Sequence, residues 1–496
     1  MLRVPAGIAL VSAIYFADVF VRAGQKYFWF DELITTYLCR LPDFATTWAA
    51  VLQGADFNPP LFYLLTRGAQ RLFGEGLIAT RLPAMIGVWL FCLCLFSFVA
   101  RRSGVVSGFI AGIFPFFTLA QYYAYEARPH GIVLGWCGLA LVCWQRSGEA
   151  HARNLWLAGF GVCLVGALLT HVYAVYILFP FVLVEIYDLF HRGRPDWRII
   201  GVVVLTMAVV TGTVYLPLIR MFRAMVLLLF FPASHDTVQR FLMTVLGPAA
   251  GVFVVFIALS ALEGTWRPQG TSAPAAIPKR EMVLTAGFAC IPLAGWLGSK
   301  ISHGPFIERY FLSSIAGYAI LLGFASSGRR PGSWTARVLA SCMFILMIAD
   351  LGTTIYLSRL NRIVLMEPST GLALNTTSSQ PMARYETLMS DKGDLDILVV
   401  PDLEYLYFFR YAPPSVVSHL YFGAPKNDVS LGVCLKLAKA THIDLKTTAF
   451  DTFIATHKRF LVYGENLTAT QDIANAGYRL ISARADTAGI MYEYEK

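Results

Sequence analysis

Apolar residues along this chain gather into stretches long enough to cross a bilayer, at 5–23, 77–99, 105–122, 127–145, 154–170, 172–190, 199–218, 241–262, 282–299, 310–325 and 335–357. A helix rises about 1.5 Å per residue and the hydrocarbon layer is about 30 Å thick, so about 20 residues span it. The pattern therefore predicts about 11 transmembrane helices, two of them obtained by dividing a longer run at Thr170-His171. The first stretch is longer than the core of a signal peptide and no small-x-small cleavage site follows it, so it reads as a retained span.

Two segments outside the spans carry their own patterning. In loop 24–76, Asp43 is placed to cap a short helix with Phe44, Trp48, Val51 and Leu52 on one face, and Pro59-Pro60 can open another through Leu61 to Phe73. Both are predicted as interfacial helices lying on the membrane surface. Segment 263–280, with Pro268, Gly270, Pro274 and Pro278, reads as a connecting loop. After Leu357 the pattern becomes that of a soluble domain, 358–496. Strands are expected at Leu395–Val400 and Arg459–Tyr463, and helices at 430–440 and 470–477. The fold class predicted is a polytopic α-helical membrane protein (1–357) with a C-terminal soluble α/β domain.

Composition agrees. Of 496 residues, 56% are apolar and only 14% charged, against roughly 45–50% and about 25% in soluble domains. This excludes an ordinary soluble enzyme, and the 14% aromatic content excludes a disordered chain. The net charge of +9 is spread over loops and forms no basic module, so nucleic acid is not an expected partner; membrane lipids are. Arg and Lys are biased to one set of short loops, thirteen (including Arg101, Arg102, Arg192, Arg280 and Arg330) against six on the opposite side. By the positive-inside rule the first set faces the cytoplasm, which puts loop 24–76 and the C-terminal domain outside. Seven of the nine cysteines fall inside apolar runs. Cys39 and Cys434 do not, and are the two that can pair.

The outer side collects the candidate chemistry. Asp31-Glu32 follow the first span, with Lys26 just before them. Asn58 precedes the Pro59 helix. Glu126 and Arg128 sit in the turn Tyr122–His130, His171 divides two spans, and Glu308-Arg309-Tyr310 opens the tenth. Carboxylates, arginines and a histidine at one membrane face suit a reaction on a phosphorylated lipid, with a carboxylate as general base and cations on the leaving phosphate. Each residue also has a plain structural role open to it: end of a span, local ion pair, helix cap, or interfacial aromatic belt for Tyr122, Tyr123 and Tyr125. Asp18 and Asp350 lie inside predicted spans, where a charge is costly.

The stretches FWFDE (28–32), NPPLFYLL (58–65), TRLPAMIG (80–87), YEARPHG (125–131), THVYA (170–174) and ERYFL (308–312) give the chain a resemblance to the GT-C superfamily of integral-membrane glycosyltransferases. The branch is that of the bacterial protein mannosyltransferase-like enzymes, the aminoarabinose transferase of lipid A and the galacturonosyltransferases of lipopolysaccharide core. The resemblance is dense in the N-terminal third and sparse beyond it. It implies a polyprenyl-phosphate-linked sugar as donor, inverting transfer on the periplasmic side of a bacterial inner membrane, and a glycan, lipid or protein acceptor. It places the catalytic base at Asp31, with Glu32 completing the acidic pair. Residues matching its motifs, expected to bind substrate, are Lys26, Asn58, Tyr63, Arg81, Tyr125, Glu126, Arg128, His171, Glu308, Arg309 and Tyr310. Some relatives bind a divalent metal near the site, and His171 is the position that could match a ligand; no other cofactor is implied. The sequence departs from the aminoarabinose transferase where Phe57-Asn58 replaces a charged pair before the double proline. The lysine that would contact donor phosphate is absent there, leaving Arg128, Arg309 or Lys26 for that role.

Other classes remain open to the sequence: a lipid-linked sugar flippase or transporter, a glycan polymerase or ligase, or a non-catalytic lipid-glycan binder. A transporter is expected to place its polar residues near the bilayer midplane, often with broken helices, whereas here they cluster at one face.

Overall fold

The computed structural model describes residues 3–149, 152–225, 233–265, 277–302, 304–327, 334–360, 364–366, 373–375, 393–400, 402–423, 437, 446, 448, 450–464, 467–485 and 489–496. The expected helix at 430–440, apart from Leu437, and Cys434 lie outside these. Two compact units form: residues 1–24, 58–217 and 228–375 in one, and 25–57, 218–227 and 376–496 in the other.

In the first unit every apolar stretch is helical. The helices are α1 (Arg3–Gln25), α4 (Pro60–Phe73), α5 (Leu77–Ile113), α6 (Ala120–Ala124), α7 (Pro129–Ser147), α8 (Arg153–Thr170), α9 (Leu178–Arg192), α10 (Trp197–Val210), α12 (Thr237–Leu246), α13 (Ala250–Thr265), α14 (Lys279–Ala289), α15 (Ile291–Ser302), α16 (Ile315–Ser327) and α17 (Trp334–Arg359), while α11 (Leu216–Met225) falls mostly in the second unit. Among the described residues eight helices are long and apolar enough to cross a membrane, nine if the pair Lys279–Ala289 and Ile291–Ser302, bent by 50°, is one span.

That tally takes 77–117 as one helix, but Gly104 has φ +84° and breaks it. Past the break the chain folds back on itself. A Cβ on Gly108 would lie 2.7 Å from Ala100 Cβ, and one on Gly112 would lie 3.0 Å from the Cys92 carbonyl. The two limbs expected at 77–99 and 105–122 are thus an antiparallel hairpin, and only glycine reaches the positive φ of its corner without strain.

Helices α5 and α7 cross with their backbones in close approach. A Cβ on Gly131 would lie 2.8 Å from the Ala84 carbonyl oxygen, and one on Gly135 would lie 2.8 Å from Gly87 Cα. Small residues let helix backbones approach closely where no water is left to expel. The glycines that close TRLPAMIG and YEARPHG are therefore packing residues, and they fix the N-terminal end of α7. The helix expected after Pro59 is present as α4, with Pro60 at its first position and Gly74 (φ +86°) ending it.

The second unit holds α2 (Phe30–Cys39) and α3 (Phe44–Leu52). Asp43 caps α3 as expected, accepting from Thr46 N–H at 2.7 Å. Helix α2 was not expected. A further helix, Asp402–Tyr411, packs on it, and the Phe28 N–H donates to the Tyr411 hydroxyl at 2.9 Å.

Strands β1 (Val364–Met366) and β2 (Ala373–Asn375) pair antiparallel. The C-terminal sheet comprises β3 (Ile397–Val399), β4 (Leu420–Phe422), β5 (Arg459–Tyr463), β6 (Arg479–Ala485) and β7 (Ile490–Glu495), in the order β4-β3-β5-β7-β6. β3 lies parallel to β4 and β5, with Ile397 opposite Leu420 and Leu461, while β7 runs antiparallel to β5 and β6. Leu398, Phe453, Phe460, Ile473 and Tyr478 form its core. The strands expected at 395–400 and 459–463 and the helix at 470–477 (found as Leu467–Asn475) are present.

Candidate functional site

The 25–57 segment presents the acidic pair. Asp31 and Glu32 stand in the first turn of α2, where carboxylates meet the positive end of the helix dipole. Consecutive helical residues point about 100° apart, and here the two separate in environment. Asp31 is half-buried, whereas Glu32 is fully buried. Glu32 accepts from the Trp29 N–H at 3.4 Å and lies 3.7 Å from the ammonium of Lys26, itself buried. Glu32 and Lys26 thus tie the start of α2 to the residues before it, and Asp31 is the more accessible carboxylate.

The first unit holds the other candidates, in two groups. The first gathers at the N-terminal end of α7, where α8 ends and the 3-10 turns 172–177 and 308–314 begin. The His171 ring lies 5.1 Å from His130, 4.9 Å from Tyr310 and 5.9 Å from Tyr173, measured between centroids. Tyr310 is 4.5 Å from Tyr173, whose hydroxyl donates to the Pro305 carbonyl at 2.8 Å. Arg309 lies over the Tyr310 ring at 5.7 Å. His171 Nδ1 accepts from the Tyr173 N–H at 3.2 Å, so His171 caps the 3-10 turn. Burial first, and then the positive charges of Arg128 and Arg309, bring its imidazole down to about 3. The ring is therefore neutral at pH 7. With Nδ1 accepting, its proton sits on Nε2, where it can donate to an oxygen.

The second group lies on α1 and α17. Arg22 donates Nε to both Asp18 oxygens at 3.0 Å, and its terminal nitrogen reaches Asp350 at 2.8 Å and Thr354 at 2.6 Å. Gln121 also donates to Asp18. The two intramembrane aspartates therefore share one guanidinium, which is how a charge in a span is normally held. Tyr125 belongs to this group, since Arg22 sits 5.9 Å above its ring. Burial pushes the Tyr125 phenol up to about 12, so it stays a hydroxyl.

The remaining candidates are mostly buried. Arg81 is fully buried and donates to the Ala23 carbonyl at 2.6 Å, holding α5 to the end of α1. Asn58, Tyr63 and Glu126 are buried, and Glu308 is half-buried at the start of its 3-10 turn. His130 and Tyr173 join the His171 group although sequence reasoning did not select them; their only signal was membership of YEARPHG and THVYA. Arg22 and Gln121 had none beyond Arg22 lying four residues after Asp18.

A divalent metal does not fit around His171. Its Nδ1 is engaged, the charges bearing on it are positive, and among the described residues no three His, Cys, Asp or Glu side chains converge.

These features define a multi-pass helical membrane protein with a C-terminal mixed-sheet domain. The fold is that of ArnT from Cupriavidus metallidurans. The apo crystal structure of that protein matches with a TM-score of 0.57 at 14% identity, covering 99% of this chain and 98% of the other. Its structure bound to undecaprenyl phosphate matches with a TM-score of 0.58 at 15% identity, covering 98% of both. The resemblance read from the short motifs thus extends to the whole fold. No family model matches the sequence, and no curated protein matches it.

Proposed function

We propose that this chain is an inverting glycosyltransferase that moves a sugar from a polyprenyl-phosphate donor to an acceptor hydroxyl at the periplasmic face of a bacterial inner membrane. The observation that carries the reading is the fold shared over 98% of both chains with ArnT, a protein seen bound to undecaprenyl phosphate. The residues agree with it in kind. A sugar on a lipid phosphate is already activated, so the enzyme needs a base, a way to hold phosphate charge, and exclusion of water.

In this reading the Asp31 carboxylate takes the proton of the acceptor hydroxyl as its oxygen bonds to the anomeric carbon. The bond from that carbon to the phosphate oxygen breaks on the opposite face, and polyprenyl phosphate leaves as the anion. Arg128 and Arg309 balance that charge, and the Nε2–H of neutral His171 donates to an oxygen of the donor. Glu32 and Lys26 are positioning residues that hold the first turn of α2. The 1–357 region supplies the membrane body, and 358–496 the outer domain. The alternative of a lipid-linked sugar flippase has one feature in its favour, the 50° break between α14 and α15.

The test is a panel of radiolabelled polyprenyl-phosphate sugars offered to full-length protein in detergent, with envelope extract as acceptor. Consumption of one donor, with release of polyprenyl phosphate, supports the reading and names the sugar. Donor binding without turnover across the panel refutes it and favours a flippase or binder.

A further inference from the structure

At the opposite end of α7 from His171, about 28 Å away for its 19 residues at ~1.5 Å each, lies a cavity of about 250 Å³. It is formed by the C-terminal turns of α7 and α9, the first limb of α5 near Gly104, and the start of α14. This is the end that loop charge assigns to the cytoplasmic interface. Among the described residues its charged lining balances, with Arg102, Arg192 and Arg280 against Glu149, Asp196 and Glu281. A simple anion or cation would upset that balance, whereas a ligand carrying both signs would keep it.

Among the described residues, three buried side chains in the lining each leave one polar atom without a hydrogen-bond partner: Glu281 Oε2, Gln145 Oε1 and Trp144 Nε1. The residues are 4%, 3% and 5% exposed, and such atoms are normally satisfied. Their neighbours explain which atom is spare. Glu281 Oε1 receives Arg102, at 2.8 Å from Nε, which leaves Oε2. The Gln145 amide nitrogen donates to the Phe98 carbonyl at 3.1 Å, which leaves its oxygen. Arg280 is held by Glu185 at 2.9 Å and Asp188 at 2.7 Å, and stacks on Trp144 at 5.5 Å. Two acceptors and an indole donor stand among arginines.

We propose that this cavity binds the headgroup of a zwitterionic phospholipid that bears a primary ammonium. The ammonium donates to Glu281 Oε2 and Gln145 Oε1, and the phosphate accepts from Trp144 Nε1–H and the arginines. The lipid would brace the cytoplasmic ends of α5, α7, α9 and α14. The inference does not depend on the transferase reading.

The test is native mass spectrometry of the full-length protein titrated with phosphatidylethanolamine, phosphatidylcholine and phosphatidylglycerol of matched acyl chains. Phosphatidylethanolamine should be retained about tenfold more tightly than the other two, because a quaternary ammonium has no N–H to donate and phosphatidylglycerol has no ammonium. Trp144→Phe and Gln145→Met should each weaken that retention about three- to tenfold, with helical content unchanged by circular dichroism. Equal retention of the three lipids by the wild-type protein overturns the proposal without relying on a variant. So does retention that both variants leave unchanged, and so does absence of any retained lipid, which would mean water alone fills the cavity.

Discussion

Replacing Gly131 by alanine tests whether the α5–α7 crossing positions the chemistry at the end of α7. The new Cβ would lie 2.8 Å from the Ala84 carbonyl oxygen and 2.9 Å from that of Tyr123, about 0.6 Å inside ordinary contact. Both neighbours are backbone atoms, so no side chain can swing away and the helices must part. Overpacking of this kind costs about 1–3 kcal/mol. Alanine for glycine within a helix otherwise gains about 0.5–1 kcal/mol. Gly68, in α4, has nothing within 4 Å of its would-be Cβ, so Gly68→Ala measures that gain alone. The two variants should therefore differ by about 2 kcal/mol. Thermal unfolding in detergent, followed by tryptophan fluorescence, should place Gly131→Ala below wild type and Gly68→Ala at or above it. Gly131 is the next residue after His130 and three after Arg128, so turnover should fall as well, because misplacement of about 1 Å can cost about 10²-fold. Equal melting temperatures for the two variants would refute the argument.

Three further outcomes follow from named contacts. His171 is held down to about 3 in the folded chain, against about 6.5 when unfolded. The unfolded state therefore binds the proton first, and folding stability is lost as pH falls below about 6.5, at up to about 1.4 kcal/mol per pH unit, until about pH 3. His171→Gln should lose less stability than wild type between pH 7 and pH 5 in the same melting assay, and a parallel loss would contradict the assignment. Arg309→Gln should lower donor turnover by about 10²–10³-fold if its charge meets the leaving phosphate, read as release of labelled polyprenyl phosphate; unchanged turnover would remove Arg309 from that role. Asp43→Ala should destabilise α3 by about 1 kcal/mol, because the carboxylate accepts the Thr46 N–H. Hydrogen exchange at Thr46 and Thr47 would show it as faster opening, and unchanged protection would speak against the cap.

Much of the fold was legible because a span advertises itself by length and hydropathy. All the apolar stretches are helical, and Asp43 and Pro60 open α3 and α4 where their chemistry placed them. Helix α2 was not legible. Phe30, Leu33, Ile34 and Leu38 do recur at helical spacing, but Ile34, Thr35 and Thr36 are β-branched and the N-cap is Trp29, which supplies no acceptor. Its start is instead held by Glu32 from within the helix. The hairpin at Gly104 was legible as two spans, although the helix runs through it with only one residue out of helical conformation.

At the candidate site, the His171 group was half visible. Arg309 and Tyr310 were named from polarity and position, but the partners that complete it, His130 and Tyr173, depend on where α7 and α8 end in space. The Asp18–Arg22–Asp350 cluster joins residues 328 apart in sequence, and the strand order β4-β3-β5-β7-β6 is likewise set by pairings between distant segments. No local pattern carries either.

The most direct test of the central claim compares wild-type protein with Asp31→Asn, reconstituted with the polyprenyl-phosphate sugar that the wild type consumes. Asparagine keeps the shape of the side chain and removes its ability to take a proton. General base catalysis is worth about 10²–10⁴-fold, so the variant should bind donor with unchanged affinity and turn it over at least about 100-fold more slowly. Turnover within a few-fold of wild type would show that the acceptor proton goes elsewhere, and the mechanism built on Asp31 would fall.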